Sequence, residues 1–374
     1  MKQHFETVIV GGAQAGLAVG YGLARAGRSF VILEANERVG DSWRNRWDSL
    51  RVFTPAKYNG MPGMRFPAPP LSFPTKGEVA DYQAAYAARF KLPVRTSVHV
   101  DGVQHDGHRF VVTAGGDTYE ADNVVVATGA CRVPKVPGFA PELKASVTQL
   151  HSSRYTSPSQ LRDGGVLVVG AGNSGAEISI ELARTRRVWL AGTPNGEIPF
   201  PHGAGAAAFA LPLVRFLALH VLTVDTPVGR RAQPQFLRRG APLVRTKISD
   251  LIAAGVERVS RVVGVADGLP RLADDRVLDV ANVIWCTGFK TDFSWIHLPV
   301  FGEDGRPMQY RGAVTSQPGL YFVGLEFQYA ALSGVLPGIG HDASYVAKHI
   351  AAGARRGATS QDAVGEYAAV SMPK

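Results

Sequence analysis

The sequence predicts an α/β fold in which one doubly wound, Rossmann-like unit is inserted into another of the same kind. Three observations predict it. The pattern strand, glycine turn, helix, strand in VIVGGAQAGLAVGYGLARAGRSFVILEAN at 8–36 recurs in VLVVGAGNSGAEISIELARTRRVWLAGTP at 166–194, the two aligning without a gap at an offset of 159 that sets Gly11 on Gly170. Each copy is answered downstream by a short apolar strand ending in Thr-Gly, NVVVATG at 123–129 and NVIWCTG at 282–288. After the second of these, GLYFVGL at 319–325 and a closing helix read as a return to the first unit. The expected division is 1–157 for the first unit, 158–290 for the inserted one and 291–374 for the return.

The elements follow in order. Apolar runs at 8–10 and 30–33 bracket an amphipathic helix, the opening βαβ of a doubly wound sheet. The next stretch, from Gly40 to about Val79, is rich in proline and aromatics and lacks periodicity; a loop of that length is usually functional. Val79, Tyr82, Tyr86 and Phe90 lie three to four apart and predict a helix over 79–92. Alternating strands follow within 93–107 and 109–122, then a buried strand at 123–130. In the inserted unit, 203–224 is apolar, but Pro212 splits it and Arg215 and His220 occupy its second half. A membrane span is therefore disfavoured, leaving burial against the protein or contact with a membrane surface. The last helix is expected at 342–353, opening near Gly338 to Asp342, where its positive end would favour negative charge.

The glycine turns carry the chemistry. A turn of this type brings backbone close to a pyrophosphate at a helix N-terminus, where unpaired N–H groups and the helix dipole favour negative charge. The first reads Gly11, Gly12, Ala13, Gln14, Ala15, Gly16, with alanine at the usual second glycine; Glu34 ends the second strand, placed to bond ribose hydroxyls. The second keeps Gly170, Gly172 and Gly175, but the position matching Glu34 is Thr193. No carboxylate repels a 2′-phosphate there, which favours NADPH and leaves NADH as the alternative; Arg186 and Arg187, just upstream, are the candidate phosphate partners. Two dinucleotides in one chain imply electron transfer between them: a resident FAD in the first unit, with its acid and long aromatic loop, and a travelling NAD(P)H in the second.

Composition narrows the rest. Lys plus Arg exceeds Asp plus Glu by 9, yet no basic run is longer than two, so nucleic acid is not expected as a partner. The two cysteines, Cys131 and Cys286, exclude a disulfide framework, a cysteine metal site and a CxxC redox pair. No metal site is expected. The start, MKQHFETVIVGG, reads as a first strand rather than a signal peptide, and the expected setting is cytoplasmic.

VIVGGAQAGL, GDSWR, VVVATG, QLHSSRY, VLVVGAGNSGAE and VIWCTGF, in this order and spacing, resemble the class B, flavin-containing type of flavoprotein monooxygenase. The likeness is to its bacterial branch of oxidoreductases named for potassium transport or metal resistance, related to the plant indole-pyruvate monooxygenases, and covers about residues 5–352. The resemblance implies FAD contacts at Gly11, Gln14, Ala15, Gly16 and Glu34, and through Ser42, Trp43 and Arg44 of GDSWR, with Thr128 and Gly129 at the hinge between domains. For the nicotinamide coenzyme it implies Gly170, Gly172, Asn173, Ser174 and Gly175, with Thr287 and Gly288 close by. It implies that NAD(P)H reduces FAD, that the reduced flavin takes up O₂ at C4a, and that the hydroperoxide passes one oxygen to a small organic substrate.

Three positions depart from the family pattern. The F-x-G-x-x-x-H fingerprint reads ASVTQLH, keeping only His151; Lys57 stands where an asparagine is usual, with Asn59 two residues on; and Thr193 replaces a common arginine. His151 is expected to be a hydrogen-bonded linker residue, and His202 and His341 ordinary loop histidines. Rival readings are an NAD(P)H:quinone or other acceptor reductase and a flavoprotein redox sensor. Membrane-surface contact through 203–224 and a homodimer are left open.

Overall fold

The computed structural model describes residues 2–129, 133–239 and 241–369; Cys131 lies outside them. The chain opens with β1 (Lys2–Val10), α1 (Gln14–Arg25) and β2 (Phe30–Leu33). Val8, Ile9 and all of β2 are buried, as strands covered on both faces must be. A short turn of helix, α2 (Asp41–Arg44), leads through the proline-rich loop to α3 (Lys76–Arg89). That helix starts three residues before the expected 79 because Thr75 and Glu78 form a capping box: each side chain accepts the other's backbone N–H, satisfying two orphan donors.

The strands β3 (Val94–Arg95), β4 (Gly102–His105), β5 (Phe110–Ala114) and β6 (Asp117–Val126) complete the first half of the sheet. The strands expected at 109–122 and 123–130 divide elsewhere. The break is the Gly115-Gly116 turn, both residues at positive φ, and β6 then runs unbroken into the buried segment. It pairs in parallel with β1 from Thr118 to Val126 and, over its first half, antiparallel with β5.

The linker strand β7 (Val133–Pro134) precedes the second sheet, built from β8 (Thr148–His151), β9 (Val166–Val169), β10 (Val188–Ala191), β11 (Glu257–Val259) and β14 (Asn282–Trp285) in the order β11-β10-β9-β14-β8, all parallel. Between these strands lie α4 (Asn173–Leu182), α5 (Ala204–Ala208), α6 (Ala210–Phe216), α7 (Pro227–Arg239), α8 (Ile248–Ala253) and the hairpin β12 (Val262–Ala266)–β13 (Leu269–Leu272). β15 (Phe289–Lys290) pairs antiparallel with β7, so the outgoing and returning linkers lie side by side. β16 (Leu320–Phe322) then rejoins the first sheet on β6, and α9 (Leu336–Ala369) closes the chain.

The order β3-β2-β1-β6 puts a topological switch point between β1 and β6; the second sheet has one between β9 and β14. Ligands of open α/β sheets bind at such points, beyond the carboxyl ends of the strands. The 159-residue offset holds there too: a Cβ on Gly11 would meet the Ala127 carbonyl at 2.6 Å, and one on Gly170 would meet that of Cys286 (127 + 159) at 2.3 Å.

The segment 203–224 is neither a span nor wholly buried. Pro212 sits in the first turn of α6, where a missing N–H costs nothing, so it helps start a helix. Phe209 is 84% exposed and Leu213 60%, with Phe216 and Leu217 beside them on the outer face. Among the described residues no helix is long and apolar enough to cross a membrane.

Candidate active site

The first glycine turn leaves β1 at Gly11, whose φ is +110°. A Cβ on Gly16 would fall 1.9 Å from the Gly11 carbonyl oxygen, so the turn and the first turn of α1 touch backbone to backbone. No side chain caps α1 at Ala13. The same holds for α4 at Gly172, whereas α3, which follows no glycine turn, is capped. The two helices behind the glycine turns thus keep first-turn N–H donors open to an anion.

A cleft of about 410 Å³ lies in front of the first turn, lined by Gly11, Ala13, Glu34, Ser42 and Thr128 and reaching Pro134 and Phe289 on the linkers. Glu34 is 7% exposed and anchored: Oε2 accepts the Gly12 N–H at 2.6 Å and Oε1 that of Asn36 at 2.9 Å. Its orientation is fixed by backbone, leaving lone pairs for a hydroxyl. Among the described residues, the buried Thr128 hydroxyl has no partner.

The GDSWR segment splits in role. Ser42 borders the cleft. The Trp43 indole N–H donates to Gln14 Oε1 at 3.2 Å, which also accepts from Gln83 of α3 at 2.8 Å, so Trp43 and α3 fix the start of α1. The Arg44 guanidinium is committed to the Val39 carbonyl, Asp41 and Asp81. It pins α2 to α3.

The second turn repeats the first. Gly170 has φ +111°, and a Cβ on Gly175 would fall 1.9 Å from the Gly170 carbonyl oxygen. A cleft of about 380 Å³ lies there, lined by Gly170, Gly192, Thr287, Lys135 and Arg261 among others. Thr193 is exposed and lies outside that lining; Gly172, Asn173 and Ser174 also stand outside it. The Asn173 side chain bonds the Pro242 carbonyl and the Val244 N–H, tying α4 to that loop. The Thr287 hydroxyl donates to the Lys135 carbonyl. Gly129 and Gly288 hold matching positive φ of 70° and 81°.

Arg186 and Arg187 are not available to this cleft, contrary to expectation. They precede β10, at the amino end of the sheet: Arg186 bonds the carbonyls of Arg162 and Leu161, and Arg187 pairs with Glu257. Four residues of strand separate them from Gly192. Arg261, after β11, lines the cleft with Lys135 instead and makes no ion pair among the described residues. The sequence offered no signal for it, since a third strand's end reaches the cleft only through the sheet order. Arg46, Asn45 and His99, on the first cleft, were likewise missed.

His151 holds the linkers. Its Nδ1 accepts the Ser153 N–H at 3.1 Å, so Nε2 carries the proton and donates to the Gly288 carbonyl at 3.0 Å. Burial lowers its pKa and keeps the ring neutral. His202 bonds the Phe53 carbonyl at 2.9 Å. His341 lies on α9, not in a loop, and Asn59 is closed on Thr54. The Cys286 thiol is free, and burial pushes it up to about 12, so it stays protonated. No group of three metal-ligating side chains occurs among the described residues.

Two glycine turns of matched geometry, each at the switch point of its own sheet, are the frame of a two-dinucleotide oxidoreductase. Comparison with known proteins agrees. The model of the pyridine nucleotide-disulphide oxidoreductase family matches residues 8–194. A CzcO-like oxidoreductase of Geobacillus kaustophilus is 39% identical over 354 residues, 94% of this chain and 99% of that one. A probable indole-3-pyruvate monooxygenase, YUCCA3 of Arabidopsis thaliana, is 29% identical over 85% of this chain and 81% of its own. Among solved structures, a flavin-containing monooxygenase from Stenotrophomonas maltophilia superposes with a TM-score of 0.74 at 26% identity, covering 94% of this chain and 99% of that one. The chain belongs to the pyridine nucleotide-disulphide oxidoreductase family and to its CzcO-like oxidoreductases. It is an enzyme of the flavin-dependent oxidoreductase type.

Proposed function

We propose that the first cleft seats FAD, that the second receives NADPH, and that the enzyme is a monooxygenase inserting one atom of O₂ into a small organic substrate. The observation that carries this reading is the pair of uncapped helices behind matched glycine turns, each beside a cleft. The residues suit the groups. The orphaned Thr128 hydroxyl and the anchored Glu34 offer hydrogen bonds to a flavin dinucleotide. Arg261 and Lys135 offer cations to a 2′-phosphate, and charge-assisted bonds of that kind are the strong ones.

A bound flavin would accept hydride and activate oxygen; the chain binds, orients and shields. Gly11 to Gly16 would hold the pyrophosphate, Glu34 the ribose, and Trp43 with Gln83 would keep Gln14 and the start of α1 in place. His151, by bonding Gly288, would set how the second unit meets the first. The proposed units, 1–157, 158–290 and 291–374, would then turn against each other about β7 and β15.

Turnover with isotopically labelled O₂ and a panel of small sulfides, amines and ketones tests the reading. Label in an oxygenated product is expected, in proportion to NADPH consumed. Electrons recovered only as hydrogen peroxide or reduced quinone would overturn it. One observation favours an acceptor reductase at a membrane surface, the exposed face of Phe209, Leu213 and Phe216; quinone turnover stimulated by vesicles would support that alternative.

A further inference from the structure

A third cavity, of about 720 Å³, lies between the proline-rich loop, α6 and the first turns of α9, and shares no lining residue with either dinucleotide cleft. Its volume suits a metabolite-sized molecule. Lys57, Arg215, Arg311, His341 and Lys348 line it, and no aspartate or glutamate does among the described residues. They come from four separate parts of the chain, so this is not a basic run but a convergence made by the fold.

The two arginines are held and yet unsatisfied. The Arg215 guanidinium lies 4.9 Å from the Tyr58 ring centre; that of Arg311 lies 4.0 Å from Tyr329 and 4.2 Å from Tyr345. Aromatic faces position a cation without neutralising it. In both, Nε is buried and without a hydrogen-bond partner among the described residues, although a guanidinium presents five donors and a buried unmet donor is costly. His341 registers the positive field: burial first, then Arg215, His220 and Arg311, lower its pKa. Asp342, next along α9, lies outside the lining, and burial raises its carboxyl to about 6 against a hydrogen bond from Ser333 and the charge of Arg311. Four like charges around one cavity repel each other, and an oxyanion in their midst would relieve that repulsion.

We propose that this cavity binds a small organic oxyanion, a carboxylate or phosphate monoester carried on an apolar or aromatic body. Two carriers share that chemistry. One is a soluble aromatic acid or ester. The other is a lipid headgroup, because α6 sends Arg215 into the cavity while Leu213 and Phe216 stay exposed.

The test uses the full chain as purified, with saturating NADP⁺ present to occupy the coenzyme cleft. Phenyl phosphate is titrated calorimetrically, and vesicles of phosphatidylcholine with and without phosphatidylglycerol are used in co-sedimentation. Saturable 1:1 binding of phenyl phosphate, weakened at least about tenfold in an Arg215→Gln/Lys348→Gln variant that retains its flavin, is expected if the ligand is soluble. Binding confined to phosphatidylglycerol vesicles and lost in the same variant supports the headgroup. Binding displaced by NADP⁺, unchanged in the variant, or absent from both arms would overturn the proposal. If the double variant fails to fold, Lys348→Gln alone, exposed on α9, carries the same comparison.

Discussion

Gly175→Ala and Gly16→Ala, made separately, should remove one dinucleotide each. In both turns the added methyl would lie 1.9 Å from a backbone carbonyl oxygen, that of Gly170 or of Gly11, against a floor near 3.0 Å for real Cβ contacts. The turn must therefore open by about 1 Å. Overpacking of that kind costs about 1–3 kcal/mol, which a chain with about 5–15 kcal/mol of stability survives. The ligand loses more. A shift of about 1 Å breaks hydrogen bonds to the pyrophosphate, each worth about 1.5–3 kcal/mol when charge-assisted; losing two weakens binding by roughly 10²–10⁴-fold. Flavin content of the purified variant and anaerobic titration with NADPH read the two sites independently. Gly175→Ala should stay yellow but resist reduction by NADPH, and Gly16→Ala should lose flavin. If Gly175→Ala loses flavin and Gly16→Ala keeps it, the assignment of the two cradles is reversed. If Gly175→Ala takes NADPH within about threefold of the parent, the second turn is no coenzyme site.

Three further outcomes follow from named contacts. Arg261→Ala should raise the NADPH dissociation constant about tenfold, a charge-assisted bond at an exposed position, and leave NADH within about twofold; an equal shift for both coenzymes would show that Arg261 does not meet the 2′-phosphate. Glu34→Gln keeps one acceptor oxygen but turns an amide NH₂ toward the N–H donor of either Gly12 or Asn36; flavin retention on dilution should fall about 10–100-fold. Glu177, 7% exposed on α4 with Arg245 3.2 Å away, has its carboxyl raised to about 7 by burial. A raised carboxyl binds its proton more tightly in the folded state, so its stabilisation is full below its unfolded value and is lost as pH rises through about 7. The melting temperature should therefore drop as pH rises from the ordinary 4.5 to about 7 and level off above that, and Glu177→Gln should flatten that drop by a few degrees; parallel profiles would contradict it.

Local order explains what was legible early. A glycine turn is recognised one residue at a time, because backbone touching backbone admits nothing larger at Gly16 or Gly175. Helix and strand periods follow from burial of one face, and the repeat at 159 residues doubled each signal. Boundaries were less legible: the Thr75 cap moved the start of α3, and the Gly115-Gly116 turn moved that of β6. Arg186 and Arg187 misled because nearness in sequence to Gly192 is not nearness in space when a strand intervenes.

The chain alone therefore determined the two Rossmann-like units, their nesting, the two glycine turns and the place of Glu34 beside the first, all of which depend on contacts within a few turns of chain or on a strand that repeats. Only the tertiary structure decided which side chains face the clefts. Arg261 reaches the second cleft, and Lys57, Arg215, Arg311 and Lys348 gather around a third cavity, because sheet order and the packing of α6 and α9 bring together residues that no spacing relates. Charge acts through space, and space is set by the fold.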